Sequence, residues 1–288
     1  MNGVSATTAV LLLSCPDQPG VVAATADFVY RHGGNIVDAQ QHTDRTDGVF
    51  FQRVEFVLDG CDLGRDEIEP AFRPIVERFD MQCAVRFSDD VPRVGVLVSK
   101  EAHCLVDLLA RSRRGELPID VSVVISNHSD HAEVAEWFGV EFAHLPVTAE
   151  SKAEQERAMQ AVLDAHRVTL VVLARYMQIL SADFVERWPD RIINIHHSFL
   201  PAFMGGRPDH QAHERGVKIV GVTAHYATAV LDDGPIIDQD VVRVSHRDSV
   251  EDLQRRGRDL EVVVLARAVR AHVEHRMLVH GRRTVVFD

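Results

Sequence analysis

The rhythm of apolar and polar positions changes near residue 90. Ala9 to Ser14 is an apolar run of strand length, and Pro16-Asp17-Gln18-Pro19-Gly20 punctuates it as a turn. Val21, Thr25, Phe28 and Val29 then recur at helical spacing, and Gly33-Gly34 stands where a helix commonly stops. Two strands follow around a turn at Asp44 to Gly48, with Phe50, Val54 and Phe56 sharing one parity on the second. Ile68, Phe72, Ile75, Val76 and Phe79 form another helical stripe, and Met81, Cys83, Val85 and Phe87 alternate with Gln82, Ala84 and Arg86. The order βαββαβ predicts a split-βαβ, ferredoxin-like unit over residues 1–88, in which no catalytic residue types cluster.

Ser88-Asp89-Asp90-Val91-Pro92 is a polar break ending in proline, which suits a linker. Beyond it, over 93–288, strands and helices alternate. Strands are predicted at Arg93 to Ser99, Ile119 to Ser126, Phe142 to Leu145 and Thr169 to Leu173, and helices over 102–113 and 151–166. The run Thr169 to Leu173 is apolar throughout, as when both faces of a sheet are covered. This predicts an α/β fold with a doubly wound, mostly parallel sheet, whose ligands bind beyond the carboxyl ends of the strands.

Composition changes this picture little. The chain has 288 residues, 46% hydrophobic and 26% charged, enough for two packed cores. The formal net charge of -12 argues against nucleic acid or anionic membrane as partner, because phosphates must be neutralised by Lys and Arg. The start MNGVSATTAV lacks a secretory signal, no apolar run is long enough to span a bilayer, and the chain is expected to be cytoplasmic. Cys15, Cys61, Cys83 and Cys104 form no CxxC pair and read as reduced thiols.

Candidate chemistry sits at two strand ends. In Arg191-Ile-Ile-Asn-Ile-His-His-Ser-Phe-Leu-Pro201, period two puts Asn194 and His196 on one face and Ile193 and Ile195 on the other. Gly205-Gly206 follow in a loop suited to bending round a ligand. Downstream, Gly221 to His225 ends a strand. Leu231-Asp232-Asp233-Gly234-Pro235 then carries a carboxylate into a turn before a strand from Ile236 to Val244. Together these types suit acyl transfer. An Asn amide donates to an oxyanion, an imidazolium reinforces it or protonates a leaving amine, and a carboxylate orients water and takes its proton. Singly, each residue has an ordinary explanation as a turn, cap or surface residue. His196, His197, His210, His213, His225 and Asp232 offer metal ligands, yet no His-Glu-x-x-His or similar spacing exists, and no metal is expected.

These motifs carry two resemblances. Asn194-Ile-His196-His-Ser198-Phe-Leu-Pro201, Gly221-x-Thr-x-His225 and Leu231-Asp232-x-Gly234-Pro-Ile-Ile resemble the formyl-transfer domain that uses 10-formyltetrahydrofolate, over 93–288. The resemblance implies that Asn194, His196 and Asp232 are catalytic. It implies that Arg175, Tyr176, Met177, Gln178, Ile179 and Leu180 bind the pterin. His225 is read beside them as a substrate-binding residue that shapes the water pocket or supports Asp232. In relatives the Leu-Pro bond is cis, and the sequence leaves open whether Leu200-Pro201 is so here. The paired His196-His197 and Gln211-Ala-x-x-Arg215-Gly-Val-Lys are similar to the formyltetrahydrofolate deformylase subfamily, although Gly206 and Asp209 depart from the alanine and tyrosine of its pattern. Residues 7–88, with the loop at Pro16 to Gly20, resemble an ACT domain. This implies an amino-acid effector bordered by Asp17, Gly20 and Asn35, and a homodimer or homotetramer.

Folate is then the substrate and no cofactor is required. A ribonucleotide amine as acceptor is disfavoured, because Val98-Ser99-Lys100-Glu101-Ala102-His103-Cys104 has no glycine to cradle phosphate and adds a carboxylate. The charge balance speaks against an initiator tRNA. Water remains, giving formate and tetrahydrofolate, with formate feeding purine synthesis and balancing the one-carbon pool. An amino-acid sensor without turnover is the rival from another class, and the intact triad opposes it.

Overall fold

The computed structural model describes residues 7–202 and 208–288, which cluster into two units. The first contains the chain up to Val91 together with Glu274–His280 and Val285–Asp288. Its elements are β1 (Thr8–Pro16), α1 (Val21–Arg31), β2 (Asn35–Asp44), β3 (Val49–Val57), α2 (Arg65–Phe79) and β4 (Gln82–Phe87). The four strands form an antiparallel sheet in the order β2-β3-β1-β4, as the alternation predicts. Ala9, Leu11, Leu13 and Cys15 face one side, where Phe28, Phe72 and Phe79 of the two helices close the core. Phe28 and Phe72 meet edge to face at 4.9 Å, a favoured aromatic geometry. The opposite parity, Val10, Leu12 and Phe51, packs against Leu278, Val285 and Phe287. The C-terminal residues therefore seal the open face of this sheet, which the linear division at residue 88 does not anticipate. Arg53, 5% exposed, fixes that seam: it pairs with Asp38 and Glu55 at 2.7 Å and donates to the His275 carbonyl at 3.0 Å.

The second unit runs from Pro92 to Val273 with Gly281–Thr284. It contains β5 (Arg93–Val98), α3 (His103–Arg113), β6 (Asp120–Ser126), α4 (Ala132–Phe138), β7 (Glu141–His144), α5 (Lys152–Ala165) and β8 (Leu170–Leu173). There follow α6 (Ala182–Val185), β9 (Ile192–His196), α7 (Pro208–Arg215), β10 (Ile219–Tyr226), β11 (Ile236–Arg243) and α8 (Val250–Val273). A short pair, β12 (Met277–His280) and β13 (Arg283–Val286), ends the chain. The seven-stranded sheet has the order β11-β10-β9-β8-β5-β6-β7. Strands β9, β8, β5, β6 and β7 are parallel neighbours, while β10 runs antiparallel to both β9 and β11. Every residue of β8 is buried, as the apolar run requires when both faces are covered. The 24-residue α8 has no counterpart among the predicted elements; it packs on β9, β10 and β11. Among the described residues no helix is long and apolar enough to cross a membrane.

Two imidazoles bear on acid stability. Burial lowers His275 in the first unit and His197 in the second to about 4 from 6.5, helped by Arg86 and Arg53 and by Arg175 and His196 respectively. Folding thus favours the neutral rings. Their stabilisation is complete above pH 6.5 and is lost as pH falls toward 4. Each site is expected to lose about 2 kcal/mol between pH 7 and 5. Denaturant titrations at the two pH values check this, and His275→Gln should flatten the dependence of its unit.

Candidate active site

Strand pairing assembles the site. In the antiparallel β9–β10 register Asn194 lies opposite His225, and His196 opposite Thr223. The two sequence clusters are therefore neighbours across one strand pair. The His225 ring nitrogen Nδ1 is 2.9 Å from the Tyr226 carbonyl, which only accepts, so Nδ1 carries the proton. Burial lowers the His225 pKa, and the ring is neutral at pH 7. Its Nε2 must then accept, and Asn194 Nδ2, 3.1 Å away, donates to it. This fixes the Asn194 amide with its second N–H free for a ligand.

Asp232 arrives from the loop before β11 with φ 55, a left-handed conformation that Asp tolerates better than most residues. Its side chain is 8% exposed, and His196 Nδ1 lies 3.2 Å from its Oδ1. The hydrogen bond from His196 holds the Asp232 carboxyl below the usual range against the effect of burial. His196 Nε2 is buried and has no hydrogen-bond partner among the described residues. Its ring is thus anchored at one nitrogen by a carboxylate and presents the other. Leu200-Pro201 is cis. Gly206 lies outside the described residues.

Asn194, His196, His225 and Asp232 line a cavity of about 310 Å³. The same cavity is lined by Arg175, Tyr176, Met177, Gln178, Ile179 and Leu180, so the structure brings every expected catalytic and pterin-side residue to one place. The size suits a drug-sized ligand. Met177 and Ile179 are 57% and 58% exposed and form an apolar rim with Val230 and Leu231. Tyr176 is buried instead, its hydroxyl accepting from Gln155 at 3.0 Å.

Sequence reasoning missed Ser99, His103 and Glu261. Ser99 Oγ accepts from Met177 N at 2.9 Å, and Ser99 N donates to the Arg175 carbonyl at 3.2 Å, tying the 175–180 loop to the end of β5. Glu261, 3% exposed on α8, meets His103 Nε2 at 2.6 Å and Arg175 Nε at 3.5 Å. Nothing in the sequence pattern pointed to Glu261. His103, Cys104 and Glu261 place ligand-type atoms within 4.8 Å of one another. Their chemistry does not favour a metal: burial pushes the Cys104 thiol far up, away from thiolate, and Arg175 and His103 already share the Glu261 carboxylate.

In the first unit Asp17, Gly20 and Asn35 are all exposed. Asp17 N donates to the Gly48 carbonyl at 2.8 Å, Gly20 precedes α1 with φ 97, and Asn35 opens β2. No hydrogen bond joins the three.

Comparison with known proteins agrees with this geometry. The Formyl transferase family matches residues 92–269 and the ACT domain family residues 9–77. The formyltetrahydrofolate deformylase of Synechocystis sp. is 57% identical over 97% of this chain and 98% of its own length. The crystal structure of a formyltetrahydrofolate deformylase from Pseudomonas syringae pv. tomato superposes with a TM-score of 0.97 at 46% identity, covering 100% of this chain and 96% of that one. A glycinamide ribonucleotide transformylase from Symbiobacterium toebii, 40% identical, covers 69% of this chain and 95% of its own with a TM-score of 0.66. An ACT domain followed by a formyl transferase domain, matched over the full length by such relatives, places the chain in the formyltetrahydrofolate deformylase family.

Proposed function

We propose that this enzyme hydrolyses 10-formyltetrahydrofolate to tetrahydrofolate and formate at the cavity lined by Asn194, His196 and Asp232. The observation that carries this is their convergence with the 175–180 loop on one cavity. The pterin sits along that loop and the apolar rim, with the formyl group toward β9. Asp232, held ionised, orients a water and accepts its proton as oxygen bonds the formyl carbon. The free N–H of Asn194 and a proton held on the otherwise unpartnered His196 Nε2 stabilise the oxyanion. The folate nitrogen is then protonated, the C–N bond breaks, and formate leaves. His225 acts by orienting the Asn194 amide. No cofactor takes part in these steps.

We further infer that residues 1–88 act as a regulatory module toward an amino-acid effector near Asp17, Gly20 and Asn35. The chain works in the cytoplasm as a dimer or tetramer; β2 and β4 are the edge strands of its four-stranded sheet, and an edge strand can pair with another chain. The direct assay is formate and tetrahydrofolate release by the purified protein from 10-formyltetrahydrofolate. His225→Leu removes the acceptor for Asn194 and is expected to lower kcat by about tenfold with little change in KM. Wild-type kcat in this variant would remove the orienting role.

A further inference from the structure

The loop that carries Asp232 is held by two separate elements of the second unit. One is β10, where Tyr226 N donates to the Pro235 carbonyl at 2.9 Å and Gly234 packs on the Tyr226 carbonyl. The other is the tip of the hairpin β12–β13, Gly281–Thr284, which clusters with this unit although it lies near the end of the chain. Gly281 has φ 57, a left-handed conformation that tight hairpin turns commonly require. The Arg282 guanidinium pairs with the carboxylate of Asp233, the residue next to Asp232. Thr284 Oγ1 donates to the carbonyl of Ile236, where the loop enters β11, at 2.5 Å. Asp232 itself has φ 55 and lies 3.2 Å from His196 Nδ1. A non-glycine residue in that conformation persists where its surroundings fix it. Within the loop, Asp233 N reaches the Val230 carbonyl at a long 3.4 Å, so contacts from outside the loop matter the more.

We propose that the hairpin tip is a positioning element for the Asp232 carboxylate, with Thr284 and Arg282 as its two working residues. The inference rests on the hydrolytic reading, in which Asp232 orients the attacking water. Neither residue lines the cavity, and neither touches the reacting atoms. They act through the backbone on the C-terminal side of Asp232: Arg282 on the adjacent residue, and Thr284 on the point where the loop becomes strand. The Arg282–Asp233 pair has side chains 75% and 36% exposed, and such pairs add little to the stability of a fold. Its effect is local, on where the carboxylate points. Ground-state contacts with the folate lie elsewhere on the cavity wall, so the tip governs turnover and leaves substrate binding alone.

The test follows formate release from 10-formyltetrahydrofolate by the full-length protein. Thr284→Val keeps the shape and removes the hydroxyl. It is expected to lower kcat by about tenfold with KM within about twofold, because small displacements of a catalytic group are costly. Thr284→Ser retains the hydroxyl and should restore most of the rate. Arg282→Met is expected to lower kcat by about threefold. A purely structural role would not produce the next result: in an Asp232→Asn background, both changes should lose their effect on kcat, since they act through that carboxylate. Wild-type kcat in Thr284→Val overturns the proposal. So does an equal loss in Thr284→Ser, or a loss that persists undiminished with Asn at 232. Should Thr284→Val fail to fold, Arg282→Met decides by the same two criteria, because it alters only an exposed pair. A wild type that releases no formate would sink the hydrolytic reading and this inference together, whereas an active wild type with unaffected variants sinks this inference alone.

Discussion

Asp232→Asn is expected to lower kcat for formate release by about 10³-fold while leaving KM within a few-fold. The Asp232 carboxylate has two tasks that an amide cannot perform. In the proposed mechanism it accepts the proton of the attacking water, and its carboxylate oxygen anchors the His196 ring at Nδ1, 3.2 Å away. In the variant the water keeps its proton and His196 loses the carboxylate that orients it. The size and shape at position 232 are preserved and the proposed pterin contacts lie on residues 175–180 of the cavity wall, so ground-state binding should survive. Steady-state kinetics on both products checks the split; a KM effect with kcat intact would make Asp232 a binding residue.

Gly234→Ala is expected to be nearly as damaging without touching a reacting group. A Cβ at 234 would lie 1.7 Å from the Tyr226 carbonyl oxygen, far inside contact distance, and 3.2 Å from Thr228 Cγ2. Backbone must move, because the obstacle is backbone. Tyr226 N donates to the Pro235 carbonyl at 2.9 Å, so the shift opens the junction between β10 and β11. Asp232 is two residues away and Tyr226 is next to His225. A displacement near 1 Å at a catalytic group costs about 10² in rate. A fall in kcat of that order together with a lowered melting temperature is expected, and near-normal values of both would show that the loop yields cheaply.

The legible and illegible parts of the molecule differ in the range over which their causes act. Asn194 and His196 were readable because strand period two is a local property, and the βαββαβ unit because its stripes of Phe28, Phe72 and Phe79 are regular. The motif resemblance supplied the 175–180 loop, which spacing alone leaves as an unremarkable turn. The helix α8 escaped because Gln254 to Asp259 is almost wholly polar and contains Gly257, which blurs its apolar stripe until Val264 and Leu265. With it went Glu261, whose meaning depends on His103 and Arg175, each far away in sequence. The C-terminal cover of the first sheet was hidden for a related reason: β12 and β13 have four residues each, too short for a period to declare itself, and their partners lie over 200 residues earlier. The orientation of the Asn194 amide is also non-local, since it follows from the His225 tautomer and hence from the Tyr226 carbonyl.

The claim on which the rest depends is that one amide, one imidazole and one carboxylate act on a single formyl carbon with water. It is tested most directly by single-turnover release of formate and tetrahydrofolate from 10-formyltetrahydrofolate by wild type and Asn194→Ala. Wild type should yield the two products in equal amounts, and Asn194→Ala should slow both together by about 10²–10³-fold with binding retained. Equal rates in the two proteins, or tetrahydrofolate formed without formate, would contradict it.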